Sequence, residues 1–285
     1  VIRFAPAAAF ALVSALALFA PAARAQSVAF AGVQSVLGSG FSYPTGVAID
    51  AGGNVYVADT YNSEVKEILA VNGSIPANPT INVLGSGFSG PQGVAVDASG
   101  NVFVADTGNS EIKEILAVNG SIPASNPTVN VLGSGFSSPG GVAVDGSGNV
   151  YVADTNNRKI KEILAVNGSI PASNPTVNIL GSGFSYPGGV AVDASGNVYV
   201  ADTVNSEIKE IVAVNGVIPA SNPTINVLGS GFSYPTASPW TPAATSMSPI
   251  PTTAKSRKFS PSTASSPPAT PPSTSWAAVS PTPEA

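Results

Sequence analysis

The stretch from Pro91 to Thr107 reads Pro-Gln-Gly-Val-Ala-Val-Asp-Ala-Ser-Gly-Asn-Val-Phe-Val-Ala-Asp-Thr, and nearly the same words occur three more times in the chain. The prolines that lead each copy, Pro44, Pro91, Pro139, Pro187 and then Pro235, stand 47 residues and afterwards 48 residues apart. Self-similarity at such a period marks a structural repeat, whose units bury their apolar faces by stacking on one another.

Each unit predicts a small antiparallel sheet. Gly93 to Val96 is a short β-branched run, Asp97-Ala98-Ser99-Gly100 is a turn cluster, and Asn101 to Ala105 is a second apolar run. Together they read as a hairpin, with Gly100 supplying the positive φ that lets the chain reverse. A third run, Glu111 to Val118, ends at Asn119-Gly120, a dipeptide that favours a tight turn between strands. Ile112, Ile115 and Leu116 also sit at helical spacing, so a helix is the alternative there; the turn that follows at once favours a strand. Thr128 to Leu132 supplies a fourth strand. Four strands in about 48 residues match one blade of a β-propeller.

The recurring pattern Pro-x-Gly-Val-Ala-Val-Asp-x-x-Gly-Asn-Val-Tyr-Val-Ala-Asp-Thr-x-Asn resembles the NHL repeat over residues 33–236. The resemblance implies an all-β, NHL-type β-propeller, here with four intact four-stranded blades beginning near residues 44, 91, 139 and 187 in a domain covering 26–236. Intact relatives close with six blades, so the chain is expected to form an incomplete arc or ring. Of the family's asparagine-histidine pair, Asn62, Asn109, Asn157 and Asn205 match the asparagine, whereas Ser63, Ser110, Arg158 and Ser206 stand in place of the histidine.

Residues 1–25 read as a secretory signal peptide: Arg3, then an Ala, Leu and Phe-rich run, then the small-residue box Ala23-Arg24-Ala25. Cleavage is expected between Ala25 and Gln26, giving a periplasmic or secreted bacterial product. A membrane anchor is disfavoured because Pro6 and Pro21 bound a short apolar run. Val33 to Gly38 aligns with the fourth-strand word Thr80 to Gly85, so the mature chain is expected to begin with the last strand of a blade.

After Pro235-Thr236 the repeat stops in mid-word, and residues 237–285 become rich in Pro, Ser, Thr and Ala. One reading is a disordered linker or wall-spanning stalk. The other comes from the genetic code. The chain's two tryptophans, Trp240 and Trp276, lie in this tail. The single codon TGG, read one base out of phase into Thr241 and Ala277, must give Asp and Gly. Those are the residues found one 48-residue period earlier, Asp193 and Gly229. Ala237 to Pro251 likewise permits a complete repeat core, so the tail is expected to be a frameshifted fifth repeat.

Absences limit the chemistry. The chain holds no His and no Cys, which rules out Ser-His-Asp and Cys-His nucleophilic arrangements, His or Cys zinc sites and disulfide staples. Some propellers resembling this one are lyases that depend on histidines and a metal, and that role has no residue to carry it here. Two rings of carboxylates remain: Asp50, Asp97, Asp145 and Asp193 in the first turn, and Asp59, Asp106, Asp154 and Asp202 in the Ala-Asp-Thr word. They could furnish oxygen ligands for Ca²⁺ or acid/base groups. Repetition in every blade favours turn caps and backbone hydrogen bonds instead. No cofactor or catalytic residue is assigned.

Between Gln26 and Thr236 there are 15 acidic and 6 basic residues, a balance that argues against nucleic acid and against anionic membranes as partners. Glu64-Val65-Lys66-Glu67 and its copies read as charge pairs on a solvated outer strand. Tyr43 and Tyr186, with Tyr56, Phe103, Tyr151 and Tyr199, are expected to pack between blades. The loop that varies between copies, with Tyr61, Gly108, Asn156-Asn157-Arg158-Lys159 and Val204, is where recognition is expected. Tyr61, Arg158 and Lys159 are the candidate contacts. The preferred function is an exported, non-catalytic module that binds protein, peptide or glycan, or serves structurally. The alternatives are a divergent oxygen-ligand metal-dependent propeller enzyme, lyase or lactonase-like, and a truncated product without function of its own.

Overall fold

The computed structural model describes residues 3–4 and 35–236. The expected signal peptide with its cleavage point, apart from Arg3 and Phe4, and the tail 237–285 lie outside the described residues. A two-residue ribbon pairs β1 (Arg3–Phe4) with β2 (Ser35–Val36). Four antiparallel sheets follow, each with its strands in sequence order. The first is β3 (Pro44–Ile49), β4 (Val55–Asp59), β5 (Glu64–Ile68) and β6 (Ile81–Val83). The second is β7 (Gly93–Val96), β8 (Val102–Asp106), β9 (Glu111–Ile115) and β10 (Val129–Val131). The third is β11 (Val142–Val144), β12 (Val150–Asp154), β13 (Lys159–Ile163) and β14 (Val177–Gly181). The fourth is β15 (Pro187–Val192), β16 (Val198–Asp202), β17 (Glu207–Ile211) and β18 (Ile225–Ser230). These are four propeller blades.

The local reasons are those the sequence suggests. Gly100 turns the first hairpin at φ 85°, and Asp97 accepts from the Ser99 and Asn101 backbone N–H groups to hold it. The third run is a strand, with Val102 opposite Ile115 and Asp106 opposite Glu111. Helical spacing loses there because both faces of the strand are covered. Asn119 and Gly120 both adopt positive φ, as a two-residue hairpin turn requires.

Apolar residues of adjacent blades make the core. Tyr56, Ala58 and Val65 of the first blade pack against Val94, Val102, Val104 and Ile115 of the second. The second and third blades meet through Phe103, Ala105, Ile112, Val142, Val150 and Val152. The third and fourth meet through Tyr151, Ala153, Ile160, Val190, Val198 and Val200. The inner strands also touch in series, β3 to β7, β7 to β11 and β11 to β15. Their approach is backbone to backbone: a Cβ on Gly93 would lie 2.7 Å from the Gly140 carbonyl oxygen.

Among the described residues no comparable contact joins β15 to β3, so the four blades form an arc with two end faces. On the first, Leu37 and Phe41 pack against Val55, Val57 and Ile68, the role that Leu84 and Phe88 play between the first two blades. The segment before Pro44 thus covers the first blade as the end of a preceding blade would. On the other, Leu228 and Phe232 cover Ala201 and Ile208.

Candidate binding face

Every blade holds the same buried polar cluster at one end of its second strand. Asp59 is fully buried and accepts from the Ser42 N–H at 2.6 Å, the Asn62 side-chain amide at 2.7 Å and the Lys66 ammonium at 2.5 Å. Lys66 also donates to the Gly40 carbonyl at 2.7 Å and lies over the Phe41 ring. Burial pushes the Asp59 carboxyl up, but hydrogen bonds from Lys66, Asn62 and Ser42 and the lysine charge outweigh it, leaving the pKa below the ordinary value. Burial likewise pulls Lys66 down, and Asp59 and Glu64 more than reverse that. Asp106 with Lys113, Asp154 with Lys161 and Asp202 with Lys209 repeat the ion pair at 2.5 to 2.7 Å. The asparagine of the family pattern therefore works as a clamp on the aspartate.

This geometry corrects the reading of the Glu-x-Lys-Glu word as a solvated outer strand, because Lys66 and Glu67 are both buried. Stacked blades cover both faces of the third strand, and the lysine neutralises an aspartate that would otherwise be buried alone. The first-turn carboxylates are also engaged. Asp50 accepts from the Asn54 N–H, the Asn54 side chain and the Tyr56 hydroxyl. Burial, then Glu67 and Asp50, push the Tyr56 hydroxyl far up, so it stays neutral and donates. Among the described residues no three His, Cys, Asp or Glu side chains gather as a metal site.

Above this constant layer the surface differs from blade to blade. A backbone hydrogen bond from the Tyr61 N–H to the Ser42 carbonyl, 3.1 Å, sets residue 61 beside residue 43. The same bond pairs Gly108 with Ser89, Asn156 with Ser137 and Val204 with Ser185. The side-by-side positions carry Tyr43 with Tyr61, Gly90 with Gly108, Ser138 with Asn156, and Tyr186 with Val204. Tyr43 and Tyr61 stack at 4.7 Å and are 60% and 72% exposed. Gly108 admits nothing larger, since a Cβ there would lie 2.5 Å from Ser89 Oγ. Asn156 donates to Ser138 Oγ at 2.9 Å. Arg158 reaches across to the next blade, its guanidinium 4.8 Å from the centre of the Tyr186 ring.

The candidate contacts fall on this surface as two groups. Tyr61 joins Tyr43 on the first blade, and Arg158 joins Tyr186 across the third and fourth. Lys159 opens β13 at a position where the other blades carry Glu64, Glu111 and Glu207, which bind Lys66, Lys113 and Lys209 at 3.0, 3.3 and 3.2 Å. The third blade thus presents two adjacent cations on an acidic protein.

Tyr43 and Tyr186 were expected between blades and instead stand in solvent, 60% and 40% exposed. The residue before each proline has a positive φ, 49° at Tyr43, 50° at Tyr186 and 45° at Tyr234, which turns its side chain outward. A signal for this lay in the sequence: the pre-proline residue and the loop residue 18 positions later both vary from copy to copy, Tyr, Gly, Ser and Tyr at the first and Tyr, Gly, Asn and Val at the second.

Solved structures share the fold. A streptogramin B lyase superposes with a TM-score of 0.50 at 13% identity, covering 69% of this chain and 58% of its own. A catalytically inactive virginiamycin B lyase from Staphylococcus aureus, with quinupristin, superposes at 0.52 and 13% identity, covering 73% of this chain and 63% of its own. The chain therefore spans about three fifths of these relatives, and the likeness is one of fold. No curated protein sequence matches it significantly. The NHL-repeat model matches at residues 41–68, 88–115, 136–162 and 184–211, one match on each blade, and the chain belongs to the NHL-repeat family.

Proposed function

We propose that this chain is an exported, non-catalytic recognition module, which binds a protein, peptide or glycan ligand on the face that carries Tyr43, Tyr61, Arg158, Lys159 and Tyr186. The observation that carries the reading is that face. An identical buried scaffold in every blade holds up a surface that differs in every blade, and three of the exposed residues are tyrosines. The repeat fixes a positive φ at every pre-proline position, and at Tyr43 and Tyr186 this presents a large aromatic ring to solvent. Exposed aromatics with polar neighbours suit sugar rings and peptide side chains alike.

Catalysis finds less support. The chain has neither His nor Cys, and the buried carboxylates of all four blades are held by lysine, asparagine and backbone donors.

Immobilised oligosaccharides and peptides offered to the protein test the proposal. Binding to one ligand class is expected, with a loss of at least about tenfold in Tyr61→Ala and in Arg158→Ala, as for aromatic and arginine anchors worth 1.4 kcal/mol or more. Binding that both variants retain in full would overturn the assignment of this face.

A further inference from the structure

The fourth blade is finished on one side and open on the other. Each threonine that ends a second strand's Ala-Asp-Thr word reaches forward to the proline that leads the next blade: Thr60 donates to the Pro91 carbonyl at 2.8 Å, Thr107 to Pro139 at 2.7 Å and Thr155 to Pro187 at 2.8 Å. The series does not end with the fourth blade. Thr203 donates to the Pro235 carbonyl at 2.9 Å, Pro235 is buried, and Thr236 lies in a β-bridge. The chain therefore reaches Thr236 already placed as the first strand of a fifth blade. Leu228 is partly exposed, whereas its counterparts Leu84, Leu132 and Leu180 are buried against a following blade. Glu210 is likewise more exposed than Glu67, Glu114 and Glu162.

We propose that the outer face of the fourth blade is the docking face for a fifth NHL blade, which the coding sequence of residues 237–285 specifies one base out of phase. The face is one half of an interface that the molecule builds three times, and the missing half is a blade of the same kind. Residues 237–285 number 49, within one residue of a 48-residue unit.

Its codons constrain what the other frame spells. Trp240 forces Asp and Trp276 forces Gly, each in register with the repeat. The boundary of Lys258 and Phe259 adds a third constraint: a lysine codon ends in A or G and a phenylalanine codon begins TT, so the overlapping triplet is Ile or Val. One period earlier stands Ile211. From Thr253 to Ser280 the codons permit Asn-Ser-Glu-Ile-Lys-Glu-Ile-Leu-Ala-Val-Asn-Gly-Val-Ile-Pro-Ala-Ser-Asn-Pro-Thr-Ile-Asn-Val-Leu-Gly-Ser-Gly-Phe. That is the run from Asn205 to Phe232 with one change, Leu for Val212, and Leu is what the other three copies carry as Leu69, Leu116 and Leu164. The uninterrupted agreement makes the Pro and Ser-rich composition of the tail a consequence of frame. Lys255, Arg257 and Lys258 are then no basic patch.

Two measurements test this. The first is the base sequence of the gene from the codon of Pro235 onward. The shifted triplets are expected to spell the repeat, whether the base is missing from the gene itself or from its recorded sequence; triplets that do not spell it overturn the proposal. The second is hydrogen exchange on the full chain with its frame restored, compared with the chain as given. Loss of fast exchange in β18 and an upward shift of the thermal midpoint are expected, since a fifth inter-blade core is added. A restored segment that exchanges as fast as free chain overturns the docking face even where the bases agree.

Discussion

At the residue scale, the repeats serve as internal controls for one another. Tyr56, Tyr151 and Tyr199 each donate to the aspartate of their own first turn at 3.0 Å, but the second blade has Phe103 there. Glu114 of that blade is buried, and its carboxyl is pushed above the ordinary value by burial, partly offset by Asn130, and further raised by the charge of Asp97. A carboxyl raised in the folded state opposes folding once pH exceeds its unfolded value, about 4.3. Glu114→Gln is therefore expected to stabilise the protein at pH 7, with the gain fading as pH falls through the raised folded value and gone below about 4; urea midpoints across that range check it. Asp59 has the opposite sign. Its lowered pKa contributes stability above the unfolded value, which is lost as pH falls through the folded one. The raised pKa of Lys66 contributes at all lower pH and is lost only as pH rises through it.

At the scale of the element, strand approach near the axis and turn conformation make different demands on glycine. Gly93 faces the backbone of the next blade, where a Cβ would meet the Gly140 oxygen at 2.7 Å and the Val142 nitrogen at 3.0 Å. Gly73 sits at φ 75° in an open turn with nothing within 4 Å of a Cβ. Gly93→Ala is expected to cost up to about 3 kcal/mol, because rigid backbone must move. Gly73→Ala should cost on the order of 1 kcal/mol, from the left-handed conformation alone. Denaturant unfolding of both variants gives the comparison, and equal costs would contradict the close approach of β7 and β11.

On the scale of the whole molecule, stability is shared between neighbours. The second and third blades have an inter-blade core on both faces, whereas the first and fourth have one each, with the other face covered only by Leu37 and Phe41 on the first and by Leu228 and Phe232 on the fourth. In such arrays the stability of a unit depends on its adjacent interfaces. Amides of Ile112 and Ile160 are therefore expected to exchange more slowly than those of Val47 and Leu228, measured by native-state exchange. Uniform protection across all four blades would indicate a closed ring in solution.

The chain alone determined the repeat, its four strands, the turn glycines and the family, because those depend on local backbone preference and on alternation within a few residues. Of the candidate contacts, Tyr61, Arg158 and Lys159 were legible as the variable loop. Their partners were not. Tyr43 and Tyr186 look like core aromatics in sequence, and only the positive φ before each proline sends them into solvent. Lys66 looks like a surface charge, and only the stacking of blades on both faces of the third strand buries it against Asp59. Which side chains meet across blades is decided by contacts between residues a whole repeat apart, so only the tertiary structure decided that Tyr43 stacks on Tyr61, that Arg158 lies over Tyr186 and that Leu228 stays partly exposed.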